Sequence, residues 1–292
     1  MADVDSDHYA VTSPNGRLRF GVTVRHSVDG TRDSVWLGAR KNKCVVISVY
    51  MEADEDDDAT LAHIEGISYN RKCAEGNQMP PTTGTFQMVV SAMKFVLLKY
   101  PHVRGFTLKD TSTLRCDDGD HVELSYLQFA MYGATWYQRC FGAAPMRGDL
   151  DSVSWLAQPK QLPYDQFYRR WIAGRFDRKI KGLKSALAPH YEASPTVRAF
   201  VGSASRALGC QVTRGWVKSM LLGSGLREPL DDITWVINEA TIPPTGDPAV
   251  VELAEPLFPP EVRNIAQRFA LIGGRPRQWV FGRKPIRVTD DM

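Results

Sequence analysis

The chain has no run of the ~20 apolar residues that a membrane-spanning helix needs. Its most apolar stretch, FQMVVSAMKFVLL, is interrupted by Gln87, Ser91 and Lys94, so no membrane span is expected. The opening residues, MADVDSDHYA, are acidic and lack the apolar core of a secretory signal. Cysteine is scarce: Cys44, Cys73, Cys116, Cys140 and Cys210 are odd in number, widely spread and without a C-x-x-C pair. That pattern points to an intracellular, reducing compartment rather than a disulfide framework or a thiolate zinc site. There is also no Walker turn, no G-x-S-x-G, no H-E-x-x-H and no Cys or His pair at metal-ligand spacing. P-loop, serine-hydrolase and zinc-protease chemistry therefore have no motif to rest on, and no metal is expected. Cys140 shares its half of the chain with His121, but that proximity does not make a nucleophilic dyad. Internal repeats and low-complexity tracts are missing too.

What is present is the composition of a soluble globular protein, 43% hydrophobic and 24% charged over 292 residues, enough for one large domain or two ordinary ones. The formal charge of +3 hides an asymmetry. Between Lys160 and Lys218 there are twelve Lys or Arg against three acids, Asp165, Asp177 and Glu192. Residues 52–58, EADEDDD, form the opposite extreme and read as an exposed hairpin tip. The basic segment can attract phosphate or an acidic protein partner.

The first half alternates strand and turn signals. RLRFGVTVR (17–25) and KCVVISVY (43–50) are β-branched and apolar, separated by the turn-rich DGTRD. ATLAHIEGISYNRKC (59–73) reads as a further strand, with His63, Glu65, Ile67 and Tyr69 on one face. After the breaker NQMPPTTGT, FQMVVSAMKFVLLKY (86–100) reads as a helix, apolar nearly all round and therefore buried. VRGFTLKD (103–110) follows as a strand, and VELSYLQFAMYG leads into GATWYQRCFGA (133–143), a short helix that stops on Gly142. Strand, buried helix and strand within about fifty residues suit a crossover on a sheet, so the fold class is α/β or α+β.

At about residue 151 the character changes, which divides the chain into 1–150 and a basic, mainly helical 151–292. YDQFYRRWIAGRFDRKIKGLKSAL (164–187) puts Tyr168, Ile172, Phe176, Ile180, Leu183 and Leu187 on one stripe of a helix. Ser194 and Pro195 start a second helix, which runs through Leu208. GWVKSMLLGSG makes a third, DDITWVINEA reads as a final strand, and a Pro-rich connection follows from 242 to 260.

The order of strand, Gly-containing turn, buried helix, strand and Tyr-bearing helix ending in Phe-Gly resembles the GCN5-related N-acetyltransferase (GNAT) superfamily. GTFQMVVSAMKFVLLKYPHVRGFTLKD carries the turn, helix and strand, and TWYQRCFGA the later helix. The resemblance covers residues 17–145 and implies a mixed sheet flanked by helices that binds acetyl-CoA and acetylates an amine. The string SYNRKC, GT, KYP, LKDTS, TWY and FGA also resembles uncharacterised proteins of large eukaryotic DNA viruses, which bears on origin more than on chemistry; a GNAT-like fold with a degenerate cofactor turn, joined to a basic helical region, fits a virion association. For the cofactor, the implied donors to its pyrophosphate are the backbone N–H groups of Thr83, Gly84, Thr85 and Phe86 at the positive end of the helix dipole. The family's turn carries Arg or Gln in a place aligned here with Met79, and glycine in one aligned with Thr82, so only Gly84 keeps the pattern. Tyr137 stands in the position of the acid that protonates the leaving thiolate, and Glu65, or a water it holds, in that of the base. Asp110 stands where the family commonly has Asn, and also reads as a turn cap.

Each of these residues also has a purely structural role open to it. Trp136 and Tyr137 can anchor a helix to a sheet, Glu65 can be salt-bridged, and His63 can be a hydrogen-bonded surface residue. The contrasting reading of the whole chain is a non-catalytic virion structural or nucleic-acid-associated protein on a degenerate GNAT-like fold. It rests on basic residues interleaved with aromatics, as in FYRRWIAGRFDRK and GGRPRQWVFGRKPIR.

Overall fold

The computed structural model describes residues 5–254, apart from 40–41, 52–60, 78, 82, 117–120, 148–150, 173–181, 215 and 227–228. The acidic run at 52–58 and the C-terminal GGRPRQWVFGRKPIR lie outside the described residues. The described chain forms two compact units, and it passes between them more than once. The first holds the residues up to Lys109, Cys140–Met146 and the strands after Thr234; the second holds Asp110–Arg139 and Arg147–Ile233. The units thus do not divide at residue 150: the later part of the chain returns to the first unit with two strands.

The first unit is built on a nine-stranded sheet. Its strands are β1 (Ser6–Thr12), β2 (Arg19–His26), β3 (Arg32–Ala39), β4 (Asn42–Tyr50), β5 (Leu61–Ile67), β6 (Gly105–Lys109), β9 (Ala144–Pro145), β10 (Thr234–Asn238) and β11 (Ala249–Leu253). Their order is β11-β1-β2-β3-β4-β5-β6-β10-β9. Every neighbouring pair is antiparallel except β5 with β6, which run parallel because helix α1 (Thr83–Lys99) carries the chain back between them. The mixed sheet and the crossover expected from the sequence are therefore present.

Period-two patterning decides the faces. Val22, Val24, Val35, Leu37, Val45, Ile47, Ala62, Ile64, Phe106 and Leu108 are all buried on one side. Tyr9 stands in register with Val22 on that side, and its ring meets Phe95 of α1 at 5.1 Å, so α1 covers this face. The buried run Met88–Met93, with Phe95 and Val96, explains why a helix apolar nearly all round is stable here. The other face is polar: Arg25, Ser34, Ser48, His63 and Thr107 stand side by side across β2 to β6.

The second unit holds the short pair β7 (Thr113–Arg115) and β8 (His121–Glu123) and six helices: α2 (Leu124–Tyr132), most of α3 (Trp136–Phe141), α4 (Tyr164–Ile172), α5 (Leu183–Ala193), α6 (Val197–Thr213) and α7 (Val217–Gly223). The single helix expected over 164–187 is not one helix. Gly182, in the left-handed region at φ 79°, precedes a separate α5, and 173–181 lie outside the described residues. The second start also moves. Ser194 ends α5, and Thr196 caps α6, its Oγ1 accepting from the Ala199 N–H at 3.1 Å. Tyr164, Phe167, Tyr191, Phe200 and Trp216 make the unit's aromatic core.

Each unit contains a disulfide, Cys44–Cys73 with Cα atoms 5.9 Å apart and Cys116–Cys210 at 5.5 Å. This corrects the expectation of a reducing compartment. Wide sequence spacing said nothing about spatial pairing, since the partners meet only after β4 and α6 are in place.

Candidate functional site

The sheet's parallel pair ends early. β5 and β6 are in register from Leu61 opposite Gly105 to Ile64 opposite Leu108, and β5 then continues to Ile67 without β6 beside it. Against β4 the register slips at the same place: Val46 faces Gly66 and Ile47 faces Ile64, so Glu65 is the extra residue of a bulge. The backbone polar groups of 65–67 on the β6 side are thus free of the ladder, at the carboxyl end of parallel strands where α/β sheets place ligands.

The bulge also breaks the alternation expected for 59–73, turning Glu65 and Gly66 both toward solvent. Glu65 is salt-bridged. Its Oε1 accepts from Arg32 and from the Ser48 hydroxyl, each at 2.6 Å, while Arg32 also donates to Ser48 at 2.6 Å. Oε2 is outside this triangle and can hold a water. His63 shares a hydrogen bond with Thr107 at 3.0 Å, the structural role open to it in the sequence. Arg32, Ser48 and Thr107 were missed by motif reasoning. Their polar side chains, alternating with buried apolar neighbours on β3, β4 and β6, were the only signal for them.

At the start of α1, the Thr83 N–H donates to the Pro81 carbonyl at 2.9 Å and the Gly84 N–H to the Pro80 carbonyl at 3.2 Å. Two of the four expected phosphate donors are therefore already used inside the turn. Gly84 is required for another reason: a Cβ there would come 2.7 Å from the Met79 Cγ. Thr85 and Phe86 follow in the same turn, and the Phe86 ring stacks on Phe141 at 5.5 Å. This first turn and Glu65 belong to the first unit, whereas Tyr137 belongs to the second.

Tyr137 is 7% exposed and packs edge-on against Trp136 at 5.0 Å. Among the described residues its hydroxyl has no hydrogen-bond partner. Burial and the charge of Asp110 push its phenol well above the usual range, so it is protonated at any ordinary pH. Asp110 is 1% exposed; burial raises its carboxyl, while Ser112 opposes this by donating its N–H at 3.1 Å and its hydroxyl. That geometry is a turn cap.

Among the described residues no helix is long and apolar enough to cross a membrane. No known protein family, curated protein or solved structure matches the chain. Fold and site geometry therefore carry the functional argument.

Proposed function

We propose that the chain is a GNAT-like enzyme that transfers the acetyl group of acetyl-CoA to an amine. The observation that carries this reading is the early parting of β5 from β6 at the Glu65 bulge, which leaves backbone donors and acceptors open beside the carboxyl end of the one parallel pair. An amine nitrogen attacks the thioester carbon, the C–S bond breaks, the nitrogen loses a proton and the thiolate gains one. Water held on Glu65 Oε2 takes the first proton. By the family resemblance Tyr137 is the group that donates a hydrogen bond to the departing sulfur, which takes its proton from water, and among the described residues the Tyr137 hydroxyl has no competing hydrogen bond. With a phenol less acidic than usual and a thiol near pKa ~8.5, Tyr137 acts chiefly as a hydrogen-bond donor to the developing charge.

Titration with acetyl-CoA tests the reading. At a hundredfold excess over Kd, binding adds about 2.7 kcal/mol and raises Tm by several degrees. No shift at millimolar cofactor ends it. Tyr137→Phe should keep the fold and lower turnover by about 10²-fold or more. Unchanged turnover would leave Tyr137 as packing.

One observation favours a second reading, a non-catalytic virion structural or nucleic-acid-associated protein. The carbonyls of Pro80 and Pro81 occupy two of the four N–H groups, those of Thr83 and Gly84, that a pyrophosphate would use. The second unit offers the exposed cations Arg169, Arg170 and Arg206, while its Asp165 is paired with Lys184 at 2.7 Å. Phosphate-driven binding of mixed-sequence DNA or RNA must weaken steeply between two salt concentrations. A salt-independent or absent interaction removes this reading.

A further inference from the structure

The second unit contains a cleft of about 310 Å³ that neither the acetyl-transfer residues nor the exposed helix cations account for. Its walls come from the 3-10 helix Asp151–Ala157 and the turn after it, from α4 and α5, from Val197 at the start of α6 and from Ser224 after α7. Three aromatic rings line it. Phe167 stacks on Tyr191 at 4.7 Å, and Trp155 stands edge-on to Phe167 at 6.4 Å. Phe167 and Tyr191 are core residues, 6% and 2% exposed, whereas Trp155 is half-buried. The cleft thus combines a buried aromatic wall with one partly exposed indole.

Its charged groups are of one sign, beside the neutral Gln158, Gln161 and Ser224. The described lining includes the cations Lys160 and Arg170 and no carboxylate. Lys160 directs its ammonium to the terminal carbonyls of α5, those of Tyr191 and Glu192, and rests on the Tyr191 ring at 4.3 Å. An ammonium has three N–H donors, so one remains. Arg170 is exposed and has no ion-pair partner among the described residues. The Trp155 indole Nε1 is shielded from solvent and has no hydrogen-bond partner among the described residues, a donor whose burial is costly until an acceptor reaches it. The neighbouring cleft at Tyr164, Asp165, Lys184 and Glu192 differs in both respects: it carries two acids, and its Asp165 and Lys184 satisfy each other.

Lys160 feels the nearby Glu192 carboxylate, whereas Arg170 has no ion-pair partner among the described residues, so an aromatic surface, the Arg170 charge and a solvent-shielded indole donor in one cleft describe a flat, acceptor-bearing ring joined to an anion. We infer that this cleft binds a nucleoside monophosphate unit, its base against Trp155 and its phosphate toward Arg170. The choice of a nucleotide among flat anions rests on the nucleic-acid reading above; the cleft itself does not. The unit comes either as a free nucleotide or as part of a single strand.

The full chain is titrated with AMP, with adenosine and with a fluorescent single-stranded 12-mer, in wild type, Arg170→Gln and Trp155→Leu. AMP should bind, and R170Q should weaken it about tenfold or more while leaving adenosine nearly unchanged. W155L should weaken both by about five- to a hundredfold. R170Q alters only an exposed side chain, so it keeps the test valid if W155L fails to fold. If AMP displaces the 12-mer and both substitutions weaken it, the cleft reads a strand. If AMP binds as stated and the 12-mer is indifferent, the ligand is the free nucleotide. AMP affinity that is undetectable, or unchanged in R170Q, overturns the assignment; salt-sensitive 12-mer binding in that case leaves the nucleic-acid reading standing without this cleft. Benzoate binding as tightly as AMP likewise overturns the nucleotide and leaves only a site for flat anions.

Discussion

Breaking the Cys116–Cys210 disulfide should destabilise the second unit severely. The partners are 94 residues apart in sequence, and the loop-closure entropy restored to the unfolded chain corresponds to about 4.7 kcal/mol. The Cys44–Cys73 bridge, with a separation of 29, corresponds to about 3.6 kcal/mol by the same relation. For units of this size, 4.7 kcal/mol translates into a fall in Tm of about 10–20 °C. Differential scanning calorimetry of wild type, with and without dithiothreitol, and of the paired variant Cys116→Ser, Cys210→Ser reads this directly. The accompanying thiol count is sharper. Protein denatured without reductant should react with a thiol reagent at one position, Cys140, which belongs to neither bridge. Reaction at all five cysteines, or a Tm indifferent to reductant, would refute both bridges and restore the reducing compartment that the sequence suggested.

Two further outcomes follow from the same physics. His26 lies between two carboxylates, its Nδ1 2.9 Å from Asp33 Oδ1 and its Nε2 3.4 Å from Asp7 Oδ2. Burial opposes its charge, but Asp33 and Asp7 prevail and raise its pKa. Its stabilisation should be fully present below the unfolded pKa of ~6.5 and be lost as pH rises through the higher folded value. Wild-type Tm should accordingly fall relative to His26→Gln above about pH 6.5, and parallel profiles would sink the idea. Thr196→Ala removes the α6 cap and should cost about 1 kcal/mol, read as a lower urea midpoint with an unchanged m-value. An unchanged midpoint would show that the cap contributes nothing.

Part of the candidate site was legible and part was not. Tyr137, Glu65 and the α1 turn were expected from the resemblance alone, and the structure places Glu65 where β5 leaves β6. Its partners were not found. Arg32 is 33 residues away in sequence and reaches Glu65 only through the β3-β4-β5 register. The same holds for Asp110, whose type suggested a cap but whose 1% exposure, and hence its effect on Tyr137, depends on packing.

By itself the sequence determined what local chemistry can determine. β-branched apolar runs specified β2 and β4, an uninterrupted apolar surface specified α1, and Gly142 fixed where α3 stops. Only the tertiary structure decided that β10 and β11 rejoin the first sheet, that Cys44 finds Cys73 and Cys116 finds Cys210, and that one extra residue at Glu65 opens the sheet. The physical reason is common to all three. Each depends on which distant segment supplies the partner, and free energy of that kind is a property of a contact, not of the residues on either side of it taken alone.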